Sequence, residues 1–118
     1  MKNLLFILIS LLVFSACKTK TPNSEELTKV NLEFSKYSEE NGVNEAFAKY
    51  AHNSAVLLRE NSYPIVGKNE IIKLFSKPDM DFSLTWKPNF ANVSKSNDLG
   101  YTYGIYTIAT SDTVTYGT

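Results

Sequence analysis

Few side chains in this 118-residue sequence have the types needed for chemistry, and they lie far apart. His52 is the one histidine, able to take or give a proton near neutral pH, and Glu60 is a carboxylate a few residues on. Arg59, the sole arginine, could hold a carboxylate or could simply be an exposed strand-end residue. Tyr50, Trp86, Tyr101 and Tyr103 join apolar bodies to polar tips. Such residues line pockets for small hydrophobic ligands, and they equally pack a sheet against a helix. Cys17 is the only cysteine, so neither an intrachain disulfide nor a multi-cysteine metal site can form. No spacing of histidine and carboxylates supplies a ligand set, and neither a metal nor a cofactor is expected.

Charge narrows the partners. Twelve basic and twelve acidic residues cancel, and the lysines are spread along the chain rather than clustered, which argues against nucleic acid. Hydrophobic residues make up 43% and aromatic residues 13%, enough to fold a domain. Met1-Lys2-Asn3 followed by the apolar run Leu4 to Phe14 and the small pair Ser15-Ala16 has the outline of a signal peptide over residues 1–16. The run is too short to span a bilayer, which takes roughly 20 residues.

Val13-Phe14-Ser15-Ala16-Cys17 resembles the lipobox of bacterial lipoproteins, with Phe14 where leucine is usual. That resemblance implies cleavage before Cys17 and lipid on its thiol, with residues 17–23 as a lipidated start and polar tether. Two or three acyl chains hold a protein firmly to membrane where one does not. Lys18 follows the cysteine, so the aspartate that retains some lipoproteins in the inner membrane is absent. The expected location is the cell envelope, in the outer membrane facing the periplasm.

Residues 24–118 are then one domain, whose elements must position the candidate side chains. Asn23 is placed to cap a helix ended by Gly42, with Leu27, Val30, Phe34 and Tyr37 on its apolar face. A second helix is predicted from Asn44 to Ala51, a short hairpin from Ala55-Val56-Leu57-Leu58 and Tyr63-Pro64-Ile65-Val66, and a third helix from Lys68 to Ser76. From Asp81 the period becomes two: Phe82, Leu84 and Trp86 share a face, and Pro88 marks a bulge that shifts the phase to Ala91 and Val93. Ser96-Asn97-Asp98 turns into a strand from Leu99 to Thr110, with Tyr101, Tyr103 and Ile105 on one face and Gly100 and Gly104 on the other. Ser111-Asp112 leads to a last strand, Thr113 to Thr118. Helices followed by long antiparallel strands make an α+β fold.

Tyr50-Ala51, Ala55-Val56-Leu57-Leu58, Gly67 before a helix, Leu84-Thr85-Trp86-Lys87-Pro88 and Asp98-Leu99-Gly100-Tyr101-Thr102-Tyr103-Gly104 together resemble the nuclear-transport-factor-2-like, or SnoaL-like, superfamily. The resemblance implies helices across a curved antiparallel sheet, a cystatin-like cone with a pocket between, and dimers formed through the sheet. It also implies that the C-terminal strands are missing, leaving an incomplete domain with an unpaired edge. The superfamily includes ketosteroid isomerases and polyketide cyclases, in which a carboxylate on the first strand abstracts a proton. Here that strand carries no acid, and Glu60 sits at the turn after it. The expected function is therefore a membrane-anchored module binding a small ligand or a protein without catalysis. The alternative is an isomerase- or cyclase-like enzyme with His52 or Glu60 as base.

Overall fold

The structure, a computed structural model, describes residues 23–77 and 81–118. The signal peptide, Cys17 and the tether up to residue 22 lie outside the described residues. Helix α1 spans Ser24–Asn41, and it starts where a side chain can satisfy its first amides: Asn23 Oδ1 accepts from the Glu25 and Glu26 amides at 3.0 and 3.2 Å. Gly42, at φ +88°, stops α1 and turns directly into α2, Val43–Tyr50. A left-handed residue there costs little only for glycine.

The next unit is small. Strands β1 (Val56–Leu57) and β2 (Ile65–Val66) pair antiparallel, followed by helix α3 (Lys68–Phe75). The Gly67 amide donates to the Ala55 carbonyl at 2.8 Å, and the Lys68 amide to the Asn53 carbonyl at 3.2 Å, which ties the start of α3 to the hairpin. The hairpin is shorter than predicted, because Pro64 has no amide to offer a ladder and Tyr63 is almost wholly exposed.

Three longer strands, β3 (Ser83–Val93), β4 (Gly100–Ala109) and β5 (Val114–Gly117), form an antiparallel sheet in that order. The described residues are thus α+β, with three helices and two antiparallel sheets. Ladder partners share a face, so the register assigns every side chain. Leu84, Trp86, Pro88, Ala91 and Val93 face the helices together with Gly100, Thr102, Gly104, Tyr106 and Ile108 of β4. The bulge falls between Pro88 and Phe90 and inverts the alternation there, as the phase shift predicted. Gly104 is opposite it, where an added Cβ would run into the Lys87 carbonyl and lie 2.7 Å from Pro88 Cα. Only glycine fits so close a backbone approach.

Strand β3 is an edge strand, and α1 closes its open side with hydroxyls. Ser38 Oγ donates to the Leu84 carbonyl at 2.7 Å, and the Trp86 amide donates to Ser35 Oγ at 2.7 Å. Both serines are buried. One helical turn between the serines matches the step from Leu84 to Trp86, so two ladder groups that β4 leaves free find partners without another strand. The fully apolar core is small and lies where α2 meets α3, at Val43, Ala46 and Ile71.

Candidate functional site

Between the helices and the inner sheet face lies a cavity of about 950 Å³. Its walls come from every layer. Phe34 of α1, Phe47 of α2 and Phe75 of α3 face Leu84 and Trp86 of β3 and Tyr106 and Ile108 of β4, with Leu57 and Phe82 at the ends. The exposed members of the lining, Leu58, Arg59, Glu60, Asn61, Thr110 and Thr118, form the mouth.

The aromatic walls are one continuous cluster. The Phe34 ring meets Trp86 edge-on at 4.6 Å and Phe47 at 5.1 Å, while Phe47 packs on Phe75 at 4.7 Å and Phe75 reaches Phe82 at 6.5 Å. Offset and edge-to-face pairs at these distances are favourable by roughly 0.5–1.5 kcal/mol each beyond burial. The rings therefore hold the walls apart in a defined shape, although none of them is fully buried.

The polar atoms of Asn31 and the Trp86 indole are paired, while the Tyr106 hydroxyl has no protein partner among the described residues. Trp86 Nε1 donates to Asn31 Oδ1 at 2.7 Å, and Asn31 Nδ2 donates to Thr102 Oγ1 at 2.7 Å. The indole is thereby fixed with its ring in the wall and its N–H turned to α1. No carboxylate or imidazole side chain lines the interior; the charged side chains of the lining are Arg59 and Glu60, both at the mouth. Among the described residues no three histidine, cysteine, aspartate or glutamate side chains come together as a metal site.

The residues singled out from sequence divide into two groups. Trp86 and Glu60 line the cavity, the first as wall and the second at the mouth. Tyr50 stacks on the far side of Phe34 at 4.7 Å, with the Lys49 ammonium over the neighbouring Tyr37 ring at 3.9 Å, so it buttresses the wall from behind. His52 is exposed, and its Nδ1 is 2.8 Å from Ser54 Oγ in the turn before β1. It does not point inward beside a tyrosine, and it does not meet Glu60 across a shared site.

Tyr101 and Tyr103 require a correction. They stand on the outer face of the sheet, 54% and 61% exposed, packed with Phe90 at ring separations of 6.0 and 5.3 Å. The register explains why: Tyr101 and Tyr103 pair with Asn92 and Phe90, beyond the bulge, while Trp86 pairs with Tyr106. The inner face near α1 is tightly approached, since a Cβ on Gly100 would lie 2.9 Å from Leu27 Cδ2 and displace that side chain.

Sequence reasoning missed Tyr106 and Ile108, which do line the cavity, and the stripe Asn31, Ser35 and Ser38 on α1. The stripe's spacing of four and three residues was a readable helical face, but a polar one. Comparison of the chain with protein-family models, curated proteins and solved structures finds no match in any of the three.

Proposed function

We propose that residues 24–118 form a binding module that takes up a small hydrophobic ligand without transforming it. The observation that carries this reading is the cavity itself: about 950 Å³, walled mostly by aromatic and aliphatic side chains, with Asn31 and the Trp86 indole bonded to each other. Ligand sites of this kind are concave, mostly apolar and in the range of about 300–1,000 Å³. An isomerase- or cyclase-like reaction would need a base facing the substrate inside the cavity; His52 is outside it and engaged with Ser54, and Glu60 is exposed at the mouth.

The curvature of a cystatin-like cone belongs to the same proposal. Gly100 and Gly104 on the inner face support it, as glycines allow a strand to bend around helices. Pairing of two copies through the outer sheet face would cover Phe90, Tyr101, Tyr103 and Ile105. The module is carried to the cell envelope by the signal peptide of residues 1–16 and held at the outer membrane by lipid on Cys17.

Two experiments test these claims separately. Screening the chain against a panel of small apolar compounds by thermal shift is expected to raise the melting temperature with some of them. No shift at saturating concentrations of any compound would remove the binding reading. Labelling cells with radioactive palmitate should mark the wild-type chain and not Cys17→Ser; a Cys17→Ser chain that still partitions with membranes would remove the anchor.

A further inference from the structure

Arg59 is the only arginine of the chain, and it stands at the cavity mouth without a hydrogen bond or ion pair to any described residue. Lys29, Lys36 and Lys73 are paired along their own helices with Glu33, Glu40 and Glu70, and Lys49 lies over the Tyr37 ring, so among the cations that line this cavity Arg59 alone is at hand for an anion. Two residues on, Asn61 also lines the mouth, held in a left-handed conformation at φ +53°, and its amide is likewise unpartnered. The planar guanidinium fork and a side-chain amide are donors matched to a carboxylate. Below them the walls are mostly aromatic and aliphatic, with Asn31 and Tyr106 among them.

We propose that the ligand is a monoanionic amphiphile, with its apolar body among Phe34, Phe47, Trp86 and Ile108 and its carboxylate at Arg59 and Asn61. This rests on the cavity being a ligand site and adds the head group. Glu60 lies between the two donors in sequence and lines the same mouth. Its negative charge counts against a doubly charged head, so a carboxylate is preferred over a phosphate dianion. It also offsets the charge of Arg59, so selectivity comes from the geometry of the donors more than from a long-range field.

The test compares dodecanoate, dodecanol, dodecyl phosphate and dodecyltrimethylammonium, each below its micelle-forming concentration. They bind to the full chain carrying Cys17→Ser, purified free of detergent, and affinity is read by calorimetry. Dodecanoate is expected to bind about fivefold more tightly than dodecanol, the upper end for an ion pair that stays in contact with solvent. Arg59→Ala should erase that preference, Arg59→Lys should keep part of it, and Glu60→Gln should bring dodecyl phosphate closer to dodecanoate. Equal binding of dodecanol and dodecanoate, tighter binding of the trimethylammonium probe, or a carboxylate preference untouched by Arg59→Ala would overturn the head-group assignment while leaving the cavity as an apolar site. Binding of none of the four would overturn the cavity reading and the head group with it.

Discussion

The two faces of the β3–β4 ribbon are both aromatic, and they are held in opposite ways. On the inner face Trp86 is fastened through Asn31 to Thr102, its backbone amide is met by Ser35, and its ring rests edge-on against Phe34. On the outer face the rings of Phe90, Tyr101 and Tyr103 pack on one another and stay largely exposed, as do Ile105, Val114 and Tyr116 beside them. Hydrophobic content alone does not distinguish the faces. What distinguishes them is whether polar atoms at the edges of the rings have been given partners, which happens only where a helix supplies them.

Breaking the inner face should therefore cost stability, and breaking the outer face should not. The largest loss is expected for Trp86→Ala, about 3 kcal/mol in urea unfolding, because the cluster around Phe34 loses a wall and Asn31 loses the donor to its Oδ1. Gly104→Ala follows at about 2–3 kcal/mol, since the new methyl meets backbone of Lys87 and Pro88, which cannot swing aside. The double variant Ser35→Ala with Ser38→Ala should lose about 2 kcal/mol by leaving the Trp86 amide and the Leu84 carbonyl without their partners. Tyr101→Ser with Tyr103→Ser should change monomer stability by less than about 1 kcal/mol. If copies pair through this face, that variant should instead abolish concentration-dependent sedimentation.

The smallest effect concerns the β3–β4 turn. Hydrogen bonds from Ser96 and Ser94 hold the Asp98 carboxyl below the usual carboxylate range. A carboxylate whose folded value is lowered contributes stability that is complete above its unfolded value and disappears as pH falls through the folded one. The wild type should therefore lose more stability than Asp98→Asn when unfolding is compared at about pH 6 and about pH 3. Equal losses would show that the turn contributes nothing to acid sensitivity.

Local signals in the sequence were read well where they rest on backbone chemistry. The Asn23 cap, the stop at Gly42, the change to period two after Asp81 and the bulge at Pro88 all follow from what those residues can donate, accept or adopt, and the structure has each of them within a residue or two. The site was read less well, for two physical reasons. Along β4 the larger residues Tyr101, Tyr103 and Ile105 suggest the buried face, yet the helix-facing positions are Gly100, Thr102 and Gly104, where Leu27 lies close to Gly100 and Asn31 bonds Thr102. On α1 the apolar spacing points to a face that includes Val30, which is 44% exposed. The residues that meet the sheet there are Asn31, Ser35 and Ser38, because an edge strand needs hydrogen-bond partners more than it needs grease. Arg59 and Glu60 were legible as charges after a short strand, but nothing in their local sequence told of a cavity opening beside them.

Trp86 is the only tryptophan of the chain and forms part of the cavity wall, so its fluorescence reports directly on whether the cavity takes a ligand. Titration with terminally brominated dodecanoate and dodecanol, whose bromine quenches an indole on contact, is predicted to give saturable quenching at one molecule per chain. The quenching should persist when Tyr101 and Tyr103 are replaced by serine. Absence of saturable quenching by either probe, or its loss in the outer-face variant, would contradict a ligand site between the helices and the inner face of the sheet.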